Sequence, residues 1–210
     1  MLKSNPVISI AGPVGQLETL VLHPEAGRER GVAVLNHPNP LYGGTHHNKV
    51  IQTAAKTLQK MGYVCYLPNV RGTGKSEGEH DYGVGESDDV LNVWEYVRRA
   101  HPDLMRRTVL GGFSFGGYVS TRVAAQVACD QLLLIGAAVS KYAEPAPAVP
   151  DIERTLMIHG AQDEVIALED VLAWCAPQNL PLIVLAEAGH FFHGKLPQLA
   201  ASIERFFRED

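Results

Sequence analysis

The sequence has few of the features that mark secreted, membrane or disulfide-rich proteins. It contains three cysteines, Cys65, Cys129 and Cys175, an odd and widely spaced set that predicts reduced thiols in a core. No apolar stretch approaches the length of a membrane span, and the first residues, MLKSNPVISIAG, do not resemble a signal peptide. We therefore expect a cytoplasmic protein with no membrane partner.

An excess of positive charge is also absent. Acidic residues outnumber basic ones by 23 to 18, which gives a formal net charge of −5 and no basic surface for nucleic acid. Apolar residues make up 46% of the chain and charged residues 20%, as in ordinary globular proteins. A length of 210 residues predicts a single domain, 1–210.

Short β-branched or apolar runs alternate with amphipathic segments, which is typical of an α/β fold with a mostly parallel sheet between helices. The predicted strands are Val7–Ala11, Leu17–His23, Gly31–Asn36, Tyr63–Asn69, Arg107–Phe113, Gln131–Val139, Thr155–His159 and Leu180–Ala186. The predicted helices are Asn48–Met61, Gly85–Ala100, Gly116–Ala128, Ala167–Cys175 and Leu196–Phe207. No helix separates the first two strands, so they should form an antiparallel hairpin at the sheet edge. The segment Lys141–Arg154 is too short for a helical cap domain.

The stretch NVRGTGKSEG invites comparison with nucleotide-binding loops. A P-loop needs a glycine five positions before Gly74, where this chain has Asn69. A dinucleotide fingerprint needs a third glycine where this chain has Glu77. Both patterns fail, and we expect no cofactor. The adjacent pair His46 and His47 should point apart, and no metal-ligand spacing occurs, so we expect no metal.

The strongest chemical signal is VLGGFSFGGYVS, an apolar strand followed by G-x-S-x-G and an Ala- and Val-rich helix. At such a junction a strained turn raises the serine hydroxyl above the sheet, and glycines let strand and helix approach closely. Ser114 is therefore the candidate nucleophile. Because a serine hydroxyl is a weak nucleophile, a base and an orienting carboxylate should follow it in the chain.

Asp163 follows the strand that ends in LMIHG, and His190 follows the last strand. Residues beyond the carboxyl ends of parallel strands share one edge of the sheet, so both can meet Ser114. The rival acids are Glu164, expected to point elsewhere, and Asp170, within a predicted helix. His193 is the rival base, three residues after His190.

Acyl transfer also needs donors for the oxyanion. One donor should be the backbone N–H of Phe115, directly after the serine. The other should come from the loop NHPNPLYGG, where Pro38 and Pro40 have no N–H and leave Asn39, which we favour, or Leu41.

The ordered segments NHPNPLYGGTHHNKV, NVRGTGKSEGEHDYGVGE, GGFSFGGYVSTRVA, HGAQDEVI and AGHFFHGK resemble the alpha/beta-hydrolase superfamily, especially small bacterial lidless serine hydrolases related to dienelactone hydrolases. The resemblance runs from about Pro6 to Phe207. It implies the nucleophile, acid, base and oxyanion amides named above, and makes NVRGTGKSEG a structural turn. Many relatives have His-Gly where this chain has His37-Pro38, which bears on the second oxyanion donor.

These observations predict a hydrolase that cleaves carboxylic esters of small, short-acyl substrates through an acyl-enzyme. Thioesters, lactones, amides and peptides remain alternatives, because the acyl pocket and not the triad sets specificity. A non-catalytic binding protein on the same fold is the alternative from another class. Tyr42, Phe115, Phe191 and Phe192 are candidate walls of the pocket or ordinary core residues.

Overall fold

A computed structural model describes residues 5–208, and its centre is one sheet of eight strands. The strands are β1 (Val7–Gly12), β2 (Gly15–Leu22), β3 (Gly31–Asn36), β4 (Tyr63–Pro68), β5 (Thr108–Phe113), β6 (Gln131–Ile135), β7 (Thr155–Gly160) and β8 (Leu182–Leu185). Their order across the sheet is β1-β2-β4-β3-β5-β6-β7-β8. The predicted antiparallel hairpin lies at the edge, β2 is also antiparallel to β4, and the other neighbours are parallel.

Helices cover both faces of the sheet. They are α1 (Lys49–Lys60), α2 (Val84–Ala100), α3 (Phe115–Ala124), α4 (Leu168–Cys175) and α5 (Leu196–Phe207). Strand residues alternate between the two cores, with Val32 and Val34 on one side and Ala33 and Leu35 on the other. The first core includes residues of α2, α3 and α4, and the second includes residues of α1 and α5. The predicted α/β class, a sheet between two helical layers, is confirmed.

Two predicted elements end four residues earlier than expected. β6 stops at Ile135 because the next residue, Gly136, takes a left-handed φ of 48°, which a continuing strand cannot accommodate. Helix α3 ends at Ala124, four residues before the predicted boundary. The chain must then turn into β6, and Asp130 anchors that turn by accepting hydrogen bonds from the backbone N and Oγ1 of Thr108 at 2.7 and 2.8 Å.

The stretch NVRGTGKSEG follows β4 and forms a turn. The guanidinium of Arg71 donates to both carboxylate oxygens of Asp89 on α2, at 3.0 and 2.8 Å, and both side chains are nearly or fully buried. The Ser76 hydroxyl closes the turn with a 2.6 Å hydrogen bond to the Asn69 carbonyl. Gly72 and Gly74 take positive φ angles within it.

Residues 141–154 contain neither helix nor strand. In the part of the chain that the structure describes, no helix has both the length and the apolar character needed to cross a bilayer.

Candidate active site

Ser114 lies between the end of β5 and the first residue of α3, in a strained conformation with φ 55° and ψ −117°. A non-glycine residue in that region is held there by its surroundings. Its carbonyl accepts hydrogen bonds from the amides of Gly117, Tyr118 and Ala138 at 3.0 to 3.2 Å. These bonds fix the turn from both the helix and the loop after β6, so the side chain of Ser114 has a defined position.

The glycines flanking Ser114 are required by close backbone approach. A Cβ on Gly112 would overlap the backbone of Gly116, and a Cβ on Gly116 would overlap the carbonyls of Asn36 and His37. The steric reason expected from the G-x-S-x-G pattern therefore holds at both positions. The same approach places the amino end of α3 against the end of β3.

The structure brings Ser114, Asp163 and His190 together. His190 Nε2 lies 3.0 Å from Ser114 Oγ, and His190 Nδ1 lies 2.8 Å from Asp163 Oδ2. The three residues follow β5, β7 and β8, whose carboxyl ends share one edge of the sheet. The side chains of Asp163 and His190 are 0% and 3% exposed. This arrangement can pass a proton from the serine to the imidazole while the carboxylate holds the ring.

Asp163 is held as a carboxylate by its neighbours. Burial alone would raise its pKa, but the hydrogen bond from His190 and the backbone amides of Ile166 and Val165 together lower that pKa below its usual value. The two amides bind the second carboxylate oxygen at 2.8 and 2.9 Å. The charge needed to orient His190 is therefore present at neutral pH.

The rival residues make other contacts than those of Asp163 and His190. His193 is exposed and lines a neighbouring cleft of about 320 Å³. Asp170 accepts a 3.1 Å hydrogen bond from Ser140. Glu164 accepts a 3.1 Å hydrogen bond from the backbone amide of His190, a contact that sequence reasoning missed because a carboxylate beside the expected acid carries no signal of its own.

His159 is a second residue at the site that the sequence did not identify. It is completely buried at the end of β7, with Nε2 3.0 Å from the Ile166 carbonyl and 3.5 Å from Asp163 Oδ2. Burial lowers the pKa of His159. The neutral ring therefore supports the loop that carries Asp163. Its place at a strand end, four residues before the acid, is the one signal in the sequence.

The two expected oxyanion amides have no acceptor within residues 5–208. Neither the Phe115 amide nor the Asn39 amide donates a hydrogen bond to the described chain. Leu41, the alternative to Asn39, donates its amide to Asn39 Oδ1 at 2.8 Å. Of the two residues left open by the sequence, Asn39 alone has its N–H available.

A cleft of about 370 Å³ contains Ser114 and His190. The other residues that line it are Pro38, Asn39, Tyr42, Gly43, Gly44, Asn48, Val165 and Phe191. Of the four candidate wall residues, Tyr42 and Phe191 line this cleft, whereas Phe115 and Phe192 are buried in the two cores.

The expectation that His46 and His47 point apart is wrong. Their Nε2 atoms lie 3.1 Å apart, because the loop before α1 turns both rings toward one another, edge to face. Across residues 5–208, no group of three or more histidines, cysteines or carboxylates is placed to hold a metal ion. The pair by itself therefore lacks the further protein ligands of a structural metal site.

The sheet order, the strained serine turn and the gathered side chains define an alpha/beta hydrolase of the serine type. Residues 29–158 match the family model Hydrolase_4, described as serine aminopeptidase, S33, and the chain belongs to this family. The matched range includes Ser114 and ends before Asp163 and His190.

Two solved structures agree with this assignment, and one relative of uncharacterized function matches most of the chain. An alpha/beta serine hydrolase without a lid from Xanthomonas campestris is 31% identical, with a TM-score of 0.87 and coverage of 98% of this chain and 94% of that one. An alpha-beta serine hydrolase homologue from Coxiella burnetii is 34% identical, with a TM-score of 0.85 and coverage of 99% and 100%. An uncharacterized protein of Rickettsia prowazekii is 30% identical over 96% of this chain and 88% of its own length.

Proposed function

We propose that the protein hydrolyses carboxylic esters of small, short-acyl substrates through an acyl-enzyme formed on Ser114. The observation that carries the proposal is the position of the His190 ring, with Nε2 3.0 Å from the serine oxygen and Nδ1 2.8 Å from the Asp163 carboxylate. Asp163 accepts a hydrogen bond from Nδ1–H, which keeps that proton on Nδ1 and leaves the Nε2 lone pair free for the serine proton.

The reaction proceeds in two halves. His190 takes the Ser114 proton as Oγ attacks the carbonyl carbon, and the amides of Phe115 and Asn39 receive the resulting oxyanion. Collapse of the tetrahedral intermediate breaks the bond to the alcohol, which leaves with the proton that His190 returns. Water then attacks the acyl-enzyme by the same route and releases the acid.

The cleft supports small substrates. Its volume of about 370 Å³ lies near the lower end of the range for small-molecule sites. No helix occurs in residues 141–154, the segment whose Tyr142 hydroxyl contacts Asn39 at 3.0 Å. Without a mobile helical cover to open at a lipid surface, interfacial activation has no structural basis here.

Aminopeptidase activity is the second candidate, because the matching family model carries that description. An aminopeptidase binds the substrate's α-ammonium group, which calls for a carboxylate beside the scissile bond. The residues that line the cleft in the described chain include no aspartate or glutamate. This lining favours esters, thioesters and lactones, which share the same acyl chemistry, over peptides with a free amino terminus.

The direct test is labelling with a fluorophosphonate probe, followed by a series of p-nitrophenyl esters of increasing acyl length. We expect labelling of the wild-type protein and of Ser202→Ala, a control at a half-buried helical serine, and none of Ser114→Ala. Acetate and butyrate esters should be cleaved faster than longer ones. Labelling of a well-folded Ser114→Ala, or faster cleavage of an aminoacyl p-nitroanilide than of every ester, would overturn the proposal.

A further inference from the structure

We infer that His37 is a positioning residue, which turns the peptide between Pro38 and Asn39 so that the Asn39 N–H faces the serine. The inference rests on the proposed function, since it concerns the oxyanion donor of that reaction. His37 directly follows β3, and only 1% of its surface is exposed. Its side chain does not line the cleft that contains Ser114, but its ring contacts the Pro38 carbonyl, and Pro38 does line that cleft.

The contacts of His37 determine which ring nitrogen carries the proton. Nε2 lies 3.2 Å from the backbone nitrogen of Val70, and Nδ1 lies 2.7 Å from the Pro38 carbonyl oxygen. An amide N–H only donates, so Nε2 must accept. A carbonyl only accepts, so Nδ1 must carry the hydrogen and donate it. The ring is therefore neutral and takes the Nδ1–H tautomer, in which both ring nitrogens are hydrogen-bonded.

Neutrality is consistent with the surroundings of the ring. Burial lowers the pKa of His37 to about 4, so the imidazole stays unprotonated at neutral pH. A second ring proton would direct an Nε2–H at the N–H of Val70 and break that contact. The Nδ1–H bond to the Pro38 carbonyl is then a permanent feature of the folded protein at the pH where an esterase works.

Holding that carbonyl also sets the direction of the Asn39 amide. The described chain has no cis peptide bonds, and in a trans peptide the C=O and the following N–H point in opposite directions. With the Pro38 oxygen turned to the buried ring of His37, the Asn39 N–H points away from that ring. The peptide lines the cleft that holds Ser114, and within residues 5–208 this N–H has no acceptor.

Other contacts of the loop act together with the hydrogen bond from His37 to hold this peptide. The Asn39 side chain is already occupied, because Oδ1 accepts from the Leu41 amide at 2.8 Å and Nδ2 donates to the Tyr142 hydroxyl at 3.0 Å. Gly44 packs so tightly on the Pro38 carbonyl that a Cβ there would overlap it. If the peptide rotated by half a turn, a carbonyl oxygen would face the developing oxyanion and repel it.

Two substitutions separate the two bonds of the ring. In His37→Asn, the side-chain amide can place an N–H near the position of Nδ1 and keep the bond to Pro38. In His37→Gln, the longer amide can reach the position of Nε2 and accept from Val70, but it leaves Pro38 without its donor. On p-nitrophenyl acetate, kcat of His37→Asn should stay within about fivefold of the wild-type value. We expect kcat of His37→Gln to fall by about 100-fold, which is the loss typical of a missing oxyanion donor. The KM of both variants should stay within about twofold of the wild-type value.

A second measurement separates positioning from general support of the fold. A substrate-like boronic acid forms a tetrahedral adduct on the serine that places an oxygen at the oxyanion position. Its affinity should fall in His37→Gln in parallel with kcat/KM and stay near the wild-type value in His37→Asn. Equal kcat values and equal boronate affinities in the two variants would overturn the inference.

If His37→Gln does not fold, Gly44→Ala perturbs the same peptide, because its Cβ would overlap the Pro38 carbonyl. We expect a loss of kcat in that variant, and an unchanged kcat would contradict the inference. The proposed function fails in a different way. If the wild-type protein neither takes up a fluorophosphonate nor cleaves any ester, the hydrolase itself is ruled out before any variant is compared.

Discussion

Glu164 and Asp163 are adjacent in the chain and bind the same histidine at two different points. Asp163 Oδ2 lies 2.8 Å from the imidazole Nδ1 of His190, whereas Glu164 Oε2 lies 3.1 Å from the backbone nitrogen of His190. The first carboxylate sets the tautomer and charge of the ring, and the second holds the loop that carries it. The two contacts should therefore differ in their effect on the reaction.

Asp163→Asn should reduce kcat by several orders of magnitude while the fold is kept, because an amide can favour the wrong tautomer and cannot balance the imidazolium charge. Glu164→Gln should reduce it by less than about tenfold, since the amide oxygen still accepts from the His190 backbone. Kinetics on one ester, with circular dichroism as the check on folding, compare the two. Similar losses in both variants would show that the roles are not divided in this way.

His190→Ala should abolish turnover, and His193→Ala should keep most of it. The reason is geometric, because only the His190 ring lies within hydrogen-bonding distance of both Ser114 and Asp163. His193 is exposed and lines the neighbouring cleft. Both variants should be assayed on p-nitrophenyl acetate, where an inactive His193→Ala beside an active His190→Ala would reverse the assignment of the base.

Gly116→Ala should destabilise the protein by at least about 3 kcal/mol, because the new Cβ would overlap the carbonyls of Asn36 and His37 and neither backbone can move freely. Gly27→Ala is the matched control. Gly27 has a positive φ of 80° but nothing within 4 Å of an added Cβ, so it should cost only about 1 kcal/mol of conformational strain. Urea unfolding of both variants measures the difference, and equal costs would contradict the close approach of α3 to β3.

His37 should make folding stability depend on pH. Its pKa is about 4 in the folded protein, compared with about 6.5 for an unperturbed histidine, so the unfolded chain binds the proton more tightly. The contribution of His37 to the free energy of unfolding is therefore fully present above about pH 6.5. It is lost as the pH falls toward 4, and the total loss is about 3 kcal/mol. The variant His37→Asn lacks this contribution, because an asparagine side chain does not titrate.

The comparison is urea unfolding of the wild type and His37→Asn from pH 7 to pH 4. The stability advantage of the wild type should shrink as the pH falls, because only the wild type has to keep a buried histidine neutral. A constant difference across this range would show that burial does not lower the pKa of His37.

Much of the fold could be predicted from residue patterns. Alternating apolar runs located all eight strands, and the absence of a helix between the first two predicted their hairpin correctly. Ends of elements were less predictable, because they depend on contacts distant in sequence. β6 ends where Gly136 takes a positive φ, and β5 and β6 are tied at their starts by Asp130 and Thr108.

Some predictions are not tested by the fold. The cytoplasmic location, the single domain and the preference for esters remain predictions. The serine hydrolase family is established by the matching family model and by two solved structures of serine hydrolases that share about a third of their residues with this chain.

Local chemistry pointed to Ser114, Asp163 and His190 as candidate site residues, because each follows an apolar strand and parallel strands bring their carboxyl ends to one edge. Their mutual distances, and the contacts of His37, His159 and Glu164, required the folded chain. The His37 ring accepts a hydrogen bond from the amide of Val70, which lies 33 residues away in the chain. The backbone amide of His190 donates to Glu164, which lies 26 residues away. The sequence already favoured Asn39 over Leu41 as a donor, whereas the hydrogen bond that occupies the Leu41 amide is a three-dimensional contact that no spacing of residues encodes.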